Sequence, residues 1–452
     1  MEQNTKLKKE LGLIIATALV AGNIMGSGIF MLPATLAAKA GPGATILAWL
    51  ITGIGSIFLA LSFARLSRKI PKTGGPYEYS KLAFGDFMGF INAWLYWNGS
   101  WIGNAAVIIA VSSYAGSLFP SIGNSHLNSF LFASIVLWIF TLINILGVKI
   151  AGRIQTTITI FEICLFLFFI VVAAFHFKGI NLTPLFPTGK GISSLPAAAT
   201  ATLWAFVGFE SSSVAAGEIK NPEKNVARST IIGISIAVVM YMCISIFAMG
   251  VMSQAALAQS SAPVADILAQ YFGNGIIKLI TFGVVISILG TTIGWLLSTA
   301  RVAYAAGKDG MFPSFFAKVN RKSGTPYVSL IIGSVLVNIL LAMNYQKSLV
   351  SAFNFVILLA TLSFLPVYAF TAAADMLLIV KREKAFNIFS FIKSAFVPLI
   401  GFIYACWTIY GSGAETVMYG FLLMMAGIPF YIYMTLKNKE RIKNIRSYEN
   451  AA

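Results

Sequence analysis

Apolar runs of about twenty residues recur along the whole chain, parted by short polar connections. They fall at 11–36, 43–66, 84–116, 127–148, 154–177, 194–217, 227–253, 276–303, 326–344, 349–379, 395–411 and 416–436. An α-helix needs about 20 apolar residues to cross roughly 30 Å of hydrocarbon. The pattern therefore predicts twelve transmembrane helices in an all-α integral membrane protein. A helix satisfies its own backbone polar groups, which lipid cannot do. The connections leave no room for a soluble catalytic domain, so residues 1–452 are expected to form a single transmembrane unit with short tails.

Composition agrees. Hydrophobic residues make up 58% of the chain and charged ones 10%, with a mean hydropathy of +0.83. Soluble domains hold roughly 45–50% apolar and about 25% charged residues. The net charge of +17 invites a nucleic-acid reading, but its placement argues otherwise. With the N-terminus inside, all but five of the 32 Lys and Arg residues fall on one side; the exceptions are Lys39, Lys178, Lys190, Lys278 and Lys347. That bias predicts a multi-pass protein of the cell membrane with both termini cytoplasmic. The charge then meets lipid headgroups, not nucleic acid. The first apolar run is too long for a cleavable signal peptide. Cys164, Cys243 and Cys406 lie inside apolar spans and read as buried small hydrophobes, not a disulfide framework. With only His126 and His176 present, neither a metal nor a cofactor is expected.

Two spans are interrupted by small and polar residues. The first reads Ala21-Gly-Asn-Ile-Met-Gly-Ser-Gly-Ile-Phe30, with Gly22, Gly26 and Gly28 beside Asn23 and Ser27. Gly22 and Gly26 alone would suit close helix packing. A third glycine next to a serine predicts an unwound segment at mid-span. The sixth span reads Leu203-Trp-Ala-Phe-Val-Gly-Phe-Glu-Ser211, with Gly208 mid-run. Paired interruptions in two halves point to a transporter site. They fit two inverted five-helix repeats, 11–177 and 194–379, followed by two extra helices at 395–436. A half-helix N-terminus carries about +0.5 charge and free N–H groups. Ser27 and Gly28 would thus receive a carboxylate, while carbonyls around Asn23, Ile24, Trp204 and Val207 would receive an ammonium. The head of an α-amino acid has both groups.

Glu162 and Glu210 lie well inside spans, and Asp375 sits near the inner end of the tenth; most other acids fall in loops or at helix ends. An ionised carboxylate in the membrane interior is costly unless paired or protonated, which makes Glu210 and Glu162 candidate proton-coupling groups. Glu162 shares a helical stripe with Gln155 and Thr159, a face turned to protein. Trp204 adjoins the second break and Trp295 follows Gly294; either indole could hold a cation against its face. Tyr96-Trp-Asn-Gly-Ser-Trp-Ile-Gly-Asn104 gathers polar groups that serve either interhelical bonding or a site wall.

Several of these stretches, in order along nearly the whole chain, resemble the amino acid–polyamine–organocation transporters. The specific marks are Asn23-Ile-Met-Gly-Ser-Gly-Ile-Phe-Met-Leu-Pro33, Gly74-Gly-Pro-Tyr77, Trp101-Ile-Gly-Asn104, the 203–211 stretch, Asn221-Pro-Glu-Lys-Asn-Val226, Gly294-Trp295 and Asp309-Gly-Met-Phe-Pro313. They are most similar to the bacterial basic amino acid/polyamine antiporters that exchange arginine for agmatine or putrescine for ornithine. The resemblance implies the LeuT-like inverted-repeat fold, with broken first and sixth helices, and alternating access. It implies that Ser27 and Gly28 bind the substrate carboxylate and that the carbonyls of Ile24, Trp204 and Val207 take the ammonium. Trp295 would stack on the side-chain cation, with Asn104 and the backbone of Gly99 and Ser100 at its far end. Trp204 would close the site with Tyr96 nearby, and Glu210 matches an acid linked to pH sensing. Two positions depart from the arginine/agmatine pattern: Ile357-Leu358-Leu359 replaces a serine-containing stretch near the guanidinium end, and Glu162 stands where that exchanger is apolar.

The favoured function is exchange of a cationic amino acid for its decarboxylated amine; the alternative is proton-coupled amino acid uptake of broader or neutral specificity. The expected partners are that small molecule and the bilayer, with a homodimer open as the assembly. A channel would need a selectivity filter or a ring of charges. An enzyme would need paired acids, a nucleophile–base pair or a metal constellation, and Asp86 and Asp309 sit in loops without catalytic partners. Nothing resembles an ATP-binding loop.

Overall fold

A computed structural model describes residues 7–26, 28–187, 189–260, 262–273, 275–346, 362–381 and 388–449, the side chains of Trp204, Ser390 and 439–449 excepted. The helices are α1 (Leu13–Ile24), α2 (Gly28–Lys39), α3 (Pro42–Lys69), α4 (Pro76–Phe84), α5 (Asp86–Leu118), α6 (Pro120–Gly123), α7 (His126–Leu146) and α8 (Val148–Phe175). There follow α9 (Leu195–Leu203), α10 (Ser211–Val214), α11 (Pro222–Val251), α12 (Gln254–Gln259), α13 (Pro263–Phe272) and α14 (Gly275–Lys308). The last four are α15 (Tyr327–Tyr345), α16 (Phe364–Val380), α17 (Ile388–Gly411) and α18 (Ala414–Glu449).

Among the described residues, ten helical stretches are long and apolar enough to cross a membrane. They meet ten of the twelve expected spans. The other two are the sixth and the tenth. The sixth is shorter because it is interrupted, and the tenth appears as α16, with residues 347–361 outside the described part.

Helix starts follow local chemistry. Pro42, Pro76, Pro120, Pro222 and Pro263 open their helices, where a missing N–H costs nothing. The Ser125 side chain caps α7 by accepting from the Asn128 amide at 3.3 Å.

α1 runs through the middle, packed on α8, α11, α14 and α10. Around it α3 packs on α11, α5 on α14, and α7 on α15. Exposed large hydrophobics such as Ile135, Ile160, Leu279 and Ile339 lie on the outer faces of these helices, as a lipid-facing surface requires. The cysteines depart from expectation: they are free thiols, and Cys164 and Cys406 are exposed instead of buried. A thiol is apolar enough to face hydrocarbon as readily as a packed core.

The loop acids also find partners. Asp309 accepts from the Tyr77 hydroxyl at 2.8 Å and pairs with Lys81, which also lies 3.8 Å from Asp86. Burial, with Asp309 beside it, pushes the Tyr77 phenol above its ordinary range. Burial and Asp309 likewise push the Glu78 carboxyl up, against the opposing pull of Lys72. Glu218, expected among the loop acids, is fully buried with Arg301: Nε donates to Oε2 at 2.7 Å and Nη2 to Oε1 at 2.8 Å. Arg65 forms a second two-pronged pair with Asp375, at 2.8 and 3.0 Å from Nε. Each joins segments distant in sequence at the end of the bundle that carries α4.

Candidate substrate site

The first break lies between Ile24 and Gly28. Helix α1 ends there, and the terminal carbonyls of a helix lack intrahelical partners. Three side chains supply them. Thr291 Oγ1 donates to the Gly22 carbonyl at 2.9 Å, Trp295 Nε1 to Asn23 at 3.2 Å, and the Tyr241 hydroxyl to Ile24 at 3.0 Å. Two of these donors come from α14 and one from α11. Gly26 N–H also donates to the Ile24 carbonyl, at 2.9 Å. Of the carbonyls expected to receive an ammonium, those of Asn23 and Ile24 are thus already engaged by the scaffold.

The second break begins as a 3-10 turn, Trp204–Phe206, and continues to Glu210 before α10. Gly208 has φ +117° and stands so close to the first break that a Cβ would fall 3.0 Å from the Asn23 carbonyl. Only glycine combines that dihedral with that approach. Its N–H donates to Glu210 Oε2 at 3.2 Å and to the Tyr368 hydroxyl at 3.4 Å; Tyr368 in turn donates to the same Oε2 at 2.8 Å. Tyr96 is a further phenol beside Glu210.

Asn23 joins the two breaks. Its Nδ2 donates to Ser211 Oγ at 2.6 Å, and its Oδ1 accepts from Gln155 Nε2 at 3.1 Å. Ser211 Oγ donates onward to the Gly208 carbonyl at 2.6 Å. Gly294 lets α14 approach this network, since a Cβ there would collide with Asn23 Oδ1 and Gln155 Nε2.

Between the breaks lies a cavity of about 330 Å³. Of the sequence-predicted residues, Asn23, Ile24, Gly28, Gly99, Val207 and Trp295 line it. Tyr96, Ser100 and Asn104 are buried on α5 but do not line it. Asn104 Nδ2 donates to the Ser100 carbonyl at 3.1 Å and to Thr299 Oγ1 at 3.2 Å. Glu210 and Glu162 are buried outside the lining as well. Ser27, Leu358 and the side chain of Trp204 lie outside the described part.

The lining also includes Tyr241, Thr291 and Phe364, which the sequence reading missed. Phe364 sets its ring edge-on to Trp295, with centroids 5.3 Å apart at 70°, and to Tyr96 at 5.3 Å and 86°. No described lining residue carries a charge. The walls are apolar and aromatic, with polar backbone at the two breaks. Chemically, such walls can meet a small zwitterion or cation with dipoles and ring faces, with no fixed ion pair among the described lining residues.

A family model described as amino acid permease matches residues 11–435. This chain belongs to the amino acid permease family. The permease is 33% identical to the arginine/agmatine antiporter of Chlamydia pneumoniae over 459 residues, covering 97% of this chain and 93% of that one. It is 32% identical to the putative arginine/ornithine antiporter of Bacillus subtilis (strain 168), covering 95% and 98%. The arginine/ornithine antiporter of Pseudomonas aeruginosa is 31% identical, over 94% of this chain and 91% of its own. The permease is a multi-pass membrane transporter, not an enzyme, and its relatives are antiporters.

Proposed function

We propose that this permease exchanges a cationic amino acid for its decarboxylated amine by alternating access. The observation that carries the reading is the cavity of about 330 Å³ at the two broken helices, with an aromatic wall and no charge among its described lining residues. That volume is at the small end of ligand sites, which span roughly 300–1,000 Å³; it suits one small solute at a time. The antiporter names of the relatives, arginine with agmatine or ornithine, support the same choice.

In this reading Ser27 and Gly28 hold the substrate carboxylate, and Ile24, Trp204 and Val207 offer carbonyls to its ammonium. Trp295 faces the distal cation, with Gly99, Ser100, Asn104 and Leu358 toward that end; Trp204 and Tyr96 close the site. Glu210 couples protonation to transport through its contacts at the second break. The fold is two inverted five-helix repeats, 11–177 and 194–379, in one transmembrane domain with two further helices. Packing of α1 on α10, α3 on α11, α5 on α14 and α7 on α15 supports it, since each pair joins corresponding helices of the two halves. Both termini are cytoplasmic, as the Lys and Arg bias favours.

Counterflow in proteoliposomes tests the function. Vesicles loaded with arginine, lysine, ornithine, agmatine or putrescine are assayed for labelled amino acid uptake. Acceleration by the internal amine is expected. Uptake indifferent to internal solute but driven by an inward proton gradient would overturn exchange in favour of proton-coupled import.

A further inference from the structure

Four carboxylates are fully or almost fully buried among the described residues: Glu162, Glu210, Glu218 and Asp375. Three are held. Tyr368 and the Gly208 amide hold Glu210, Arg301 holds Glu218, and Arg65 holds Asp375. Glu162 is different. It is 1% exposed, its Oε1 has no partner, and no hydrogen bond or ion pair reaches its carboxylate among the described residues. A bare carboxylate in a membrane interior costs several kcal/mol, so either a proton or a cation must accompany it.

Its neighbours on α8 fix its height. Thr159 meets α1 at Gly22, where a Cβ would strike its hydroxyl, and Phe166 packs against Phe30 with ring centroids 4.9 Å apart, tilted by 42°. Glu162 lies between Thr159 and Phe166, level with the break that separates Gly22 from Phe30. Tyr241, which lines the cavity and bonds the Ile24 carbonyl, is the titratable group facing it. At that level α1, α2, α7 and α14 present no titratable side chain among the described residues. On α13, Asp266 engages Ser260 and Tyr271 stacks on His176. The carboxylate, without a partner among the described residues, therefore stands at the level of the substrate site but outside its lining, on a helix packed against α1 and against α11, which carries Tyr241.

Decarboxylation changes the charge the site must meet. A cationic amino acid carries two positive groups and one carboxylate; the amine keeps both positive groups and loses the carboxylate. We propose that Glu162 is the amine-selective residue of this site: neutral beside the amino acid and ionised beside the amine, it supplies the negative charge that decarboxylation removes. The proton leaves its carboxyl oxygen for solvent as the amine docks, one per amine bound. The loaded site then has the same net charge with either cargo. This rests on the exchange reading above.

Calorimetry on the purified permease, in two buffers of different ionisation enthalpy, tests it. Wild type should release one proton more on binding agmatine or putrescine than on binding arginine or ornithine, since release through Glu210 is common to both cargoes. Glu162→Gln should abolish that excess and weaken amine binding at least about tenfold, as loss of a buried charge partner does, with amino acid binding changed less than about threefold. Glu162→Asp, which keeps the charge, should retain the discrimination. Equal losses for amine and amino acid in Glu162→Gln, or an excess release with the amine that persists in it, would overturn the proposal. So would a wild type that releases equal numbers of protons on binding the two solutes, a measurement that stands even if the Gln variant does not fold. Wild type that binds neither class would instead remove the exchange reading itself.

Discussion

Trp295 is anchored by its indole N–H to the Asn23 carbonyl while its ring lines the cavity beside Phe364. The bond fixes the ring plane, so the side chain offers a preset π surface to a cation. Such a contact is worth about 0.5–2 kcal/mol. Trp295→Leu is expected to weaken cationic substrates by that amount and neutral ones less, with Trp295→Phe intermediate; equal losses for arginine and alanine by calorimetry would count against it. Glu210 makes a different kind of prediction. Its Oε2 is held by Tyr368 and Gly208 while its Oε1 has no partner. The ionised form attracts a cationic substrate and the protonated form does not, so binding and protonation oppose each other reciprocally. Affinity for the cation should rise with pH, and Glu210→Gln should flatten that profile while the protein stays folded. A variant whose profile superimposes on wild type would shift the coupling to Glu162.

At the scale of elements, the breaks were legible because glycine clusters inside apolar runs have few other uses in a membrane. The residues that complete them were not. Tyr241, Thr291 and Phe364 sit in ordinary-looking helices, and only tertiary packing turns them toward α1. The same limit applies to Glu218 and Arg301, which read as loop charges until the fold buries them together. Nor could the sequence show that the carbonyls of α1 already have donors. The register of α14 against α1 depends on Gly294, where any side chain would strike Asn23 and Gln155. Gly294→Ala is expected to separate the two helices and abolish counterflow, with a lower thermal midpoint; normal exchange would show that α14 can shift without harm.

Across the whole molecule, one end of the bundle is stitched by two-pronged pairs, Arg301 with Glu218 and Arg65 with Asp375. Glu218 also accepts, through its carbonyl, from the Glu10 and Leu11 amides at 2.9 Å each, which ties the N-terminal segment to the same point. The interior is joined more lightly, by single hydrogen bonds from α11 and α14 to the end of α1. Those bonds bear on leakage. An exchanger is useful only if it seldom turns over empty, and here the end of α1 is stapled by side chains at Gly22, Asn23 and Ile24. Each bond is worth about 0.5–1.5 kcal/mol. If the crossing state breaks all three, the unloaded protein reorients roughly ten to a thousand times more slowly. On the proposed site assignment, a cargo ammonium would replace the donors it displaces and lift that brake. Removing two donors, as in Tyr241→Phe with Thr291→Val, should therefore let labelled substrate enter vesicles that contain no counter-substrate. Uptake that still requires a loaded interior would place the brake elsewhere. Entry without a counter-substrate would make the tightness of the trade between the two solutes a property of two hydroxyl groups buried at the end of α1.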